Sequence, residues 1–266
     1  GLKLFDVSLR DGLQSQRKIF SFKEKKDLFH KIISKYNPSS IEVGSIVSPK
    51  ILPQMNNSLE LYNETKVVSD SDLYLLIPSF KKYKNITDEN IIINNISLIT
   101  STSEKFLLKN TNKTEIETRN YIKNVIIHSK NYDVKNIKLY ISCINNCPIL
   151  GKLDNDYVVD SIFKYTIFSE INEICLSDTR GNLEFQDFKY IINRVISRIN
   201  PDRISLHLHV APNNMFNLSK IIEYSISLGI IRFDVSCLEN SGGCTVTMNK
   251  NMINSNLTYE QLESLL

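Results

Sequence analysis

Short apolar runs alternate along the whole chain with longer stretches in which apolar residues recur every three or four positions, a pattern that predicts strands alternating with amphipathic helices. Residues 3–9 (KLFDVSL) form the first strand-like run, ending in Arg10-Asp11-Gly12, and residues 22–36 (FKEKKDLFHKIISKY) carry helical spacing. The next units are residues 39–46 with a short helical region over 51–65, then 72–79 followed by a polar stretch, then 96–103 with a helix over 114–132. The second half repeats the pattern more cleanly. Strands at 137–143, 173–181, 204–210 and 231–237 precede helices at 157–168, 185–199, 215–229 and 257–266.

Strands separated by helices at intervals of roughly 30 residues pair in parallel through right-handed crossovers. Eight such units predict closure into an α/β fold of the (β/α)8 TIM-barrel type, with residues 1–266 as one catalytic domain. The rival is an open doubly wound sheet, which calls for a glycine-rich phosphate turn after the first strand. That turn is Arg10-Asp11-Gly12, and the barrel is favoured.

Composition narrows the functional classes. The net charge of +3 is spread as lysines among Asn, Ile and Glu, without the basic stripe of a nucleic-acid-binding surface. No apolar run reaches the roughly 18–20 residues that span a bilayer, and the first ten residues lack a signal-peptide layout. The expected location is cytoplasmic, or mitochondrial if a targeting segment has been trimmed. Five scattered cysteines, an odd number, predict no disulfide framework and a reducing compartment, with Cys143, Cys147 and Cys175 serving mostly in packing. The single alanine, Ala211, and the abundance of Asn, Ile and Lys reflect a biased composition and receive no functional reading.

In a closed parallel barrel the functional side chains lie where each strand runs into its following loop. Those positions hold Arg10 and Asp11 after strand one, Glu42 on strand two, Asp178 after strand six, and His207 and His209 on strand seven. His207 and His209 are two apart on an apparent strand and so point to one face, the barrel lumen. An isolated His-x-His serves equally well to satisfy a buried carbonyl. Asp11, close by around the ring, favours a catalytic divalent ion instead, in a mixed nitrogen and oxygen site that suits manganese, magnesium or zinc. Arg10 reads either as the charge partner of Asp11 or as a group that stabilises a developing enolate oxygen. Cys244 closes a Ser-Gly-Gly-Cys loop after strand eight, where the paired glycines either make a turn or fold the backbone over a ligand and present a thiol proton carrier.

Longer motifs sharpen this picture. RDGLQ at residues 10–14, IVSPKILPQM at 46–55, SCINNCPILGK at 142–152, EICLSDTRG around Asp178, LHLH at 206–209 and the SGGC loop occur in one order at barrel-compatible spacing. With them the chain resembles the hydroxymethylglutaryl-CoA lyase family, within the metal-dependent lyase and synthase barrels, over nearly its whole length. The resemblance implies Asp11, His207 and His209 as metal ligands, with Asn256 of the SNLTYEQL segment as a fourth and magnesium or manganese as the ion. It also implies that Arg10 holds the thioester oxygen, that Glu42 and Asp178 tune the site, that Gln14 contacts metal-bound ligand and that Cys244 is the acid/base. The implied substrate is a small acyl-CoA, cleaved in a retro-Claisen sense to acetyl-CoA and acetoacetate, and a homodimer is compatible with the family.

Four features depart from the family's pattern, the first two of them bearing on the substrate. Where the family has Asp-Thr-Tyr-Gly after the second histidine, this chain has Val210-Ala211-Pro212-Asn213, and Thr245-Val246-Thr247 replaces Pro-Tyr-Ala after Cys244. The Asn256 match needs a short insertion, and the sequence stops soon after its last helix. The alternatives are an aldolase or Claisen synthase acting on another 2-oxo or 3-hydroxy acid, and a degenerate non-catalytic barrel that binds a metabolite.

Overall fold

The computed structural model describes residues 1–244, 248 and 254–266. Eight strands close into a parallel ring: β1 (Lys3–Asp6), β2 (Ser40–Ser45), β3 (Asp72–Leu76), β4 (Asn95–Ser101), β5 (Asn136–Ser142), β6 (Glu173–Ser177), β7 (Ile204–His207) and β8 (Arg232–Val235). Each pairs with its sequence neighbours, and β1 closes the ring against β8 with Lys3 opposite Arg232 and Asp6 opposite Val235. The strands are buried along most of their length, and their apolar residues are interrupted by buried polar ones, Asp6, Glu42, Ser97, Lys138 and Asp234 among them.

The outer layer is α1 (Phe22–Lys35), α2 (Ser58–Thr65), α3 (Phe80–Asp88), α4 (Glu104–Thr111), α5 (Glu115–Ser129), α6 (Asn155–Phe163), α7 (Phe185–Val195), α8 (Met215–Ser227) and α9 (Tyr259–Ser264). Its starts follow local chemistry. Ser21 with Glu24 and Thr114 with Glu117 form capping boxes that satisfy the first free amides of α1 and α5. In α7 the buried Phe188, Ile191, Ile192 and Val195 fall three, four and seven residues apart and form the stripe that faces the sheet.

The polar stretch after β3 is itself a helix, α3. Its buried stripe is only Tyr83, Ile86 and Thr87, set among Lys81, Lys82 and Lys84, so it holds few apolar residues for a sequence pattern to show. The third strand is shorter than its apolar run: Ile77 donates its amide to Ser97 and Pro78 ends the ladder. Likewise β7 stops at His207, and His209–Val210 pair instead with Ser255–Asn256 in a small antiparallel ladder.

Two backbone irregularities aim the residues at the mouth. Between Glu42 and Gly44 the register of β2 shifts, and a Cβ at Gly44 would lie 2.1 Å from Ser58 Oγ. Only glycine lets α2 approach this closely. After β1 the chain forms a π-helical turn at Ser8–Gly12, with the Gly12 amide bonded to the Val7 carbonyl at 2.9 Å. Such wide turns recur at functional sites because they re-aim consecutive side chains.

Candidate metal centre

Asp11, on the π-helical turn, faces the two imidazoles from the end of β7. Its Oδ2 lies 3.2 Å from His207 Nε2 and 3.8 Å from His209 Nε2, and one ligand atom from each of the three residues falls within 4.8 Å of the others. All three are buried. Each histidine is held through its far nitrogen: His207 Nδ1 is 2.8 Å from Asp234 Oδ2, and His209 Nδ1 donates to the Asp178 carbonyl at 2.8 Å. Fixing Nδ1 in this way turns Nε2 of both rings inward, toward Asp11.

The test of whether an ion fits is the state of the inward atoms. Asp11 Oδ2, His209 Nε2 and both amide atoms of Asn256 are buried without a hydrogen-bond partner among the described residues. Such groups cost free energy unless something polar meets them. Asn256 stands opposite His209 in the short antiparallel pairing, and Gly242, at φ +91°, packs so closely on its amide that a Cβ there would lie 2.2 Å from Nδ2. One carboxylate and two imidazoles thus meet with the amide of Asn256 beside them, from three separated segments, and the residues fit a divalent cation.

The electrostatics agree. Burial by itself would raise the Asp11 carboxyl, but the imidazoles of His207 and His209 and the charge of Arg10 hold it well below the carboxylate range. Burial would lower His207, yet the flanking carboxylates of Asp11 and Asp234 outweigh it and hold that imidazole up at about 9. Without an ion, a proton on His207 takes the place of positive charge between the two carboxylates.

Arg10 is fixed beside this cluster. Its Nε donates to Glu42 Oε1 at 2.5 Å, its Nη1 approaches Asp11 Oδ1 at 3.4 Å, and its guanidinium lies 5.1 Å from the Tyr140 ring centroid. Burial would lower the Arg10 pKa, but Glu42, Tyr140 and Asp11 raise it further above its already high ordinary value. Glu42 in turn accepts from Ser97 Oγ and, at 3.0 Å, from Tyr140 OH. A buried carboxylate with three donors is a rigid support, so the guanidinium points where it is held.

Gln14 lines the same cavity, of about 270 Å³, with Arg10, Asp11, Tyr140, His207 and His209. Cys244 reaches it from the loop after β8, its Sγ 2.8 Å from Asn110 Oδ1. The Asp178 side chain faces its own loop, accepting the amides of Gly181 at 3.1 Å and Leu183 at 3.2 Å; its link to the centre is the backbone carbonyl under His209. Burial pushes the Asp178 carboxyl up, partly offset by His209 and these amides.

The structure adds residues that sequence reasoning missed. Asp234 orients His207 and is itself paired with the fully buried Lys138 at 2.6 Å, which also meets Glu173 at 3.1 Å. Burial favours a neutral Asp234, but Lys138 and His207 hold it ionised. The signal was present in the FDV of the eighth strand, a lone acid in an otherwise apolar run. Tyr140 and Asn110 went unnoticed for the opposite reason, since neither residue type stands out in a chain so rich in Tyr and Asn.

With this geometry in place, comparison with known proteins is direct. The model of the HMGL-like family matches residues 1–214. The chain belongs to that family. It is 27% identical over 246 residues to the mitochondrial hydroxymethylglutaryl-CoA lyase of Arabidopsis thaliana, covering 91% of this chain and 50% of that protein. To the 3-hydroxy-3-isohexenylglutaryl-CoA/hydroxymethylglutaryl-CoA lyase of Pseudomonas aeruginosa it is 26% identical, covering 91% of this chain and 78% of that one. The chain therefore spans only half the length of the plant relative. Among solved structures, an HMG-CoA lyase from Acinetobacter baumannii in complex with coenzyme A and 3-methylmalate superposes with a TM-score of 0.85 at 26% identity, over 99% of this chain and 82% of that one. The closed barrel expected for an HMGL-like chain is thus shared with proteins of that family. Among the described residues of this HMGL-like barrel, no helix is long and apolar enough to cross a membrane.

Proposed function

We propose that this chain is a divalent-metal-dependent carbon–carbon lyase that cleaves 3-hydroxy-3-methylglutaryl-CoA to acetyl-CoA and acetoacetate. The observation that carries the reading is the meeting, in one cavity, of the Asp11, His207 and His209 ligand atoms with the Arg10 guanidinium clamped by Glu42.

Asp11, His207, His209 and Asn256 would hold the ion, magnesium or manganese, whose charge would polarise the tertiary hydroxyl and a neighbouring substrate oxygen. The hydroxyl proton passes to a base of the site, the carbon–carbon bond breaks, and its electron pair becomes the enolate of the thioester. Arg10, already oriented by Glu42, stabilises the oxygen on which that charge develops. Gln14 contacts the bound substrate. The Cys244 thiol gives its proton to the enolate carbon, completing acetyl-CoA, and recovers one from the proton removed at the hydroxyl. Tyr140 shields the pair of Arg10 and Glu42 from water.

Ile51, Leu52 and Leu107 make one wall of the cavity apolar. That wall and the name of the Pseudomonas relative support a second substrate, with a longer hydrocarbon in place of the 3-methyl group. Assaying both thioesters with metal-loaded protein tests the reading: release of acetyl-CoA from either supports the lyase, with their ratio of kcat/KM setting the preference. Metal binding with no cleavage of either moves the assignment to another 2-oxo or 3-hydroxy acid.

A further inference from the structure

Cys244 and Asn110 belong to opposite sides of the barrel. In the ring order β1, β8, β7, β6, β5, β4, β3, β2, strand β8 stands four places from β4, diametrically across the mouth. Cys244 lies on the loop that leaves β8, and Asn110 on the last turn of α4, which follows β4. The contact of 2.8 Å between Cys244 Sγ and Asn110 Oδ1 therefore spans the opening above Asp11, His207 and His209.

Both ends are anchored. On the β8 side, the Gly242 amide donates to Ser15 Oγ at 2.7 Å and the Asn256 amide to the Ser241 carbonyl at 2.7 Å, while Gly242 and Gly243 take φ values of +91° and +104° that carry the chain up toward the mouth. On the β4 side, α4 is capped by Ser103, whose Oγ accepts from the Phe106 amide, and its end is closed by Asn112 in the left-handed region at φ +57°. Leu107, one turn before Asn110, lines the same cavity.

We infer that Asn110 is a positioning residue for Cys244, holding its thiol over the metal centre by a clasp across the mouth. The inference rests on the lyase reading only for its effect on turnover; the clasp itself is a property of the protein without substrate. A neutral carbonyl acceptor is suited to this task, because it keeps the S–H proton directed and the sulfur protonated, as a proton donor to carbon requires.

The test compares Asn110→Leu, which removes the acceptor, with Asn110→Asp, which retains one at the same reach, each first shown to melt with a single wild-type-like transition. Iodoacetamide labelling of metal-loaded protein is followed on the peptide that carries Cys244. Release of the thiol in Asn110→Leu is expected to speed labelling fivefold or more, with Asn110→Asp within twofold of wild type. With turnover, Asn110→Leu is expected to lower kcat at least tenfold at nearly constant KM, and Asn110→Asp to restore most of it. Labelling of Asn110→Leu at the wild-type rate would overturn the clasp, whatever the activity. Faster labelling in a protein that cleaves no acyl-CoA would leave the clasp standing and reject the lyase reading instead.

Discussion

Asp234 Oδ2 sits 2.8 Å from His207 Nδ1, on the side of the ring away from Asp11. This carboxylate decides which nitrogen of His207 faces the centre, and Lys138, 2.6 Å from its other oxygen, keeps it charged in a fully buried place. The metal cradle is thus the top of a column of buried charges that runs down the lumen through Asp234 to Lys138 and Glu173.

Replacing Asp234 by asparagine is expected to weaken metal binding about 10- to 100-fold, the usual cost of losing a carboxylate behind a ligating imidazole. Lys138 keeps Glu173 as a partner at 3.1 Å, so the variant should still fold. Titration of manganese by calorimetry checks this; affinity equal to wild type would mean that His207 needs no such support.

Metal should stabilise the chain and release a proton. At a concentration 100 times Kd, an ion that binds only the folded state contributes about 2.7 kcal/mol, which for a chain this long raises Tm by roughly 5–10 °C. Because His207 is held up at about 9, its proton must leave before the ion binds. Apparent affinity should therefore rise with pH up to about 9. His207→Ala is expected to abolish both the thermal shift and this pH dependence.

Much of this centre was legible in the sequence because the barrel makes position meaningful. Once eight strands are counted, Asp11, His207 and His209 must lie at one end of the ring, and they do. What could not be read is how the backbone aims them. Nothing in Ser8–Gly12 announces a π-helical turn, and the departure of His209 from β7 into a pairing with Asn256 depends on a segment distant in sequence. Where Val210-Ala211-Pro212-Asn213 replaces Asp-Thr-Tyr-Gly, Pro212–Asn214 form a helical turn into α8, and the Asn214 side-chain amide donates to the Gly181 and Leu183 carbonyls. The loop after β7 is tied to the loop after β6 by a residue no motif contains. Thr245, Val246 and Thr247, the other departure, lie outside the described residues.

Away from the centre, Asp6 gives a pH-dependent stability. Burial pushes its carboxyl up to about 6 from an ordinary 3.8, opposed by hydrogen bonds from Tyr259 and Ser8. A raised carboxyl contributes stability that is complete below about pH 4 and lost as pH rises through 6. Asp6→Asn, which cannot ionise, should therefore be more stable than wild type at pH 8, by at most about 3 kcal/mol at 1.4 kcal/mol per pKa unit. The gap should close as pH falls toward 4. Urea unfolding at the two pH values measures it, and an equal gap at both would show that Asp6 ionises in the fold without cost.

The most direct test of the account is cleavage of 3-hydroxy-3-methylglutaryl-CoA by wild type and by His207→Ala, with magnesium or manganese supplied and acetoacetate release followed. The account predicts metal-dependent release by wild type, lost on chelation, and a fall of at least 100-fold in the variant. Release that survives chelation, or a variant as active as wild type, would contradict it.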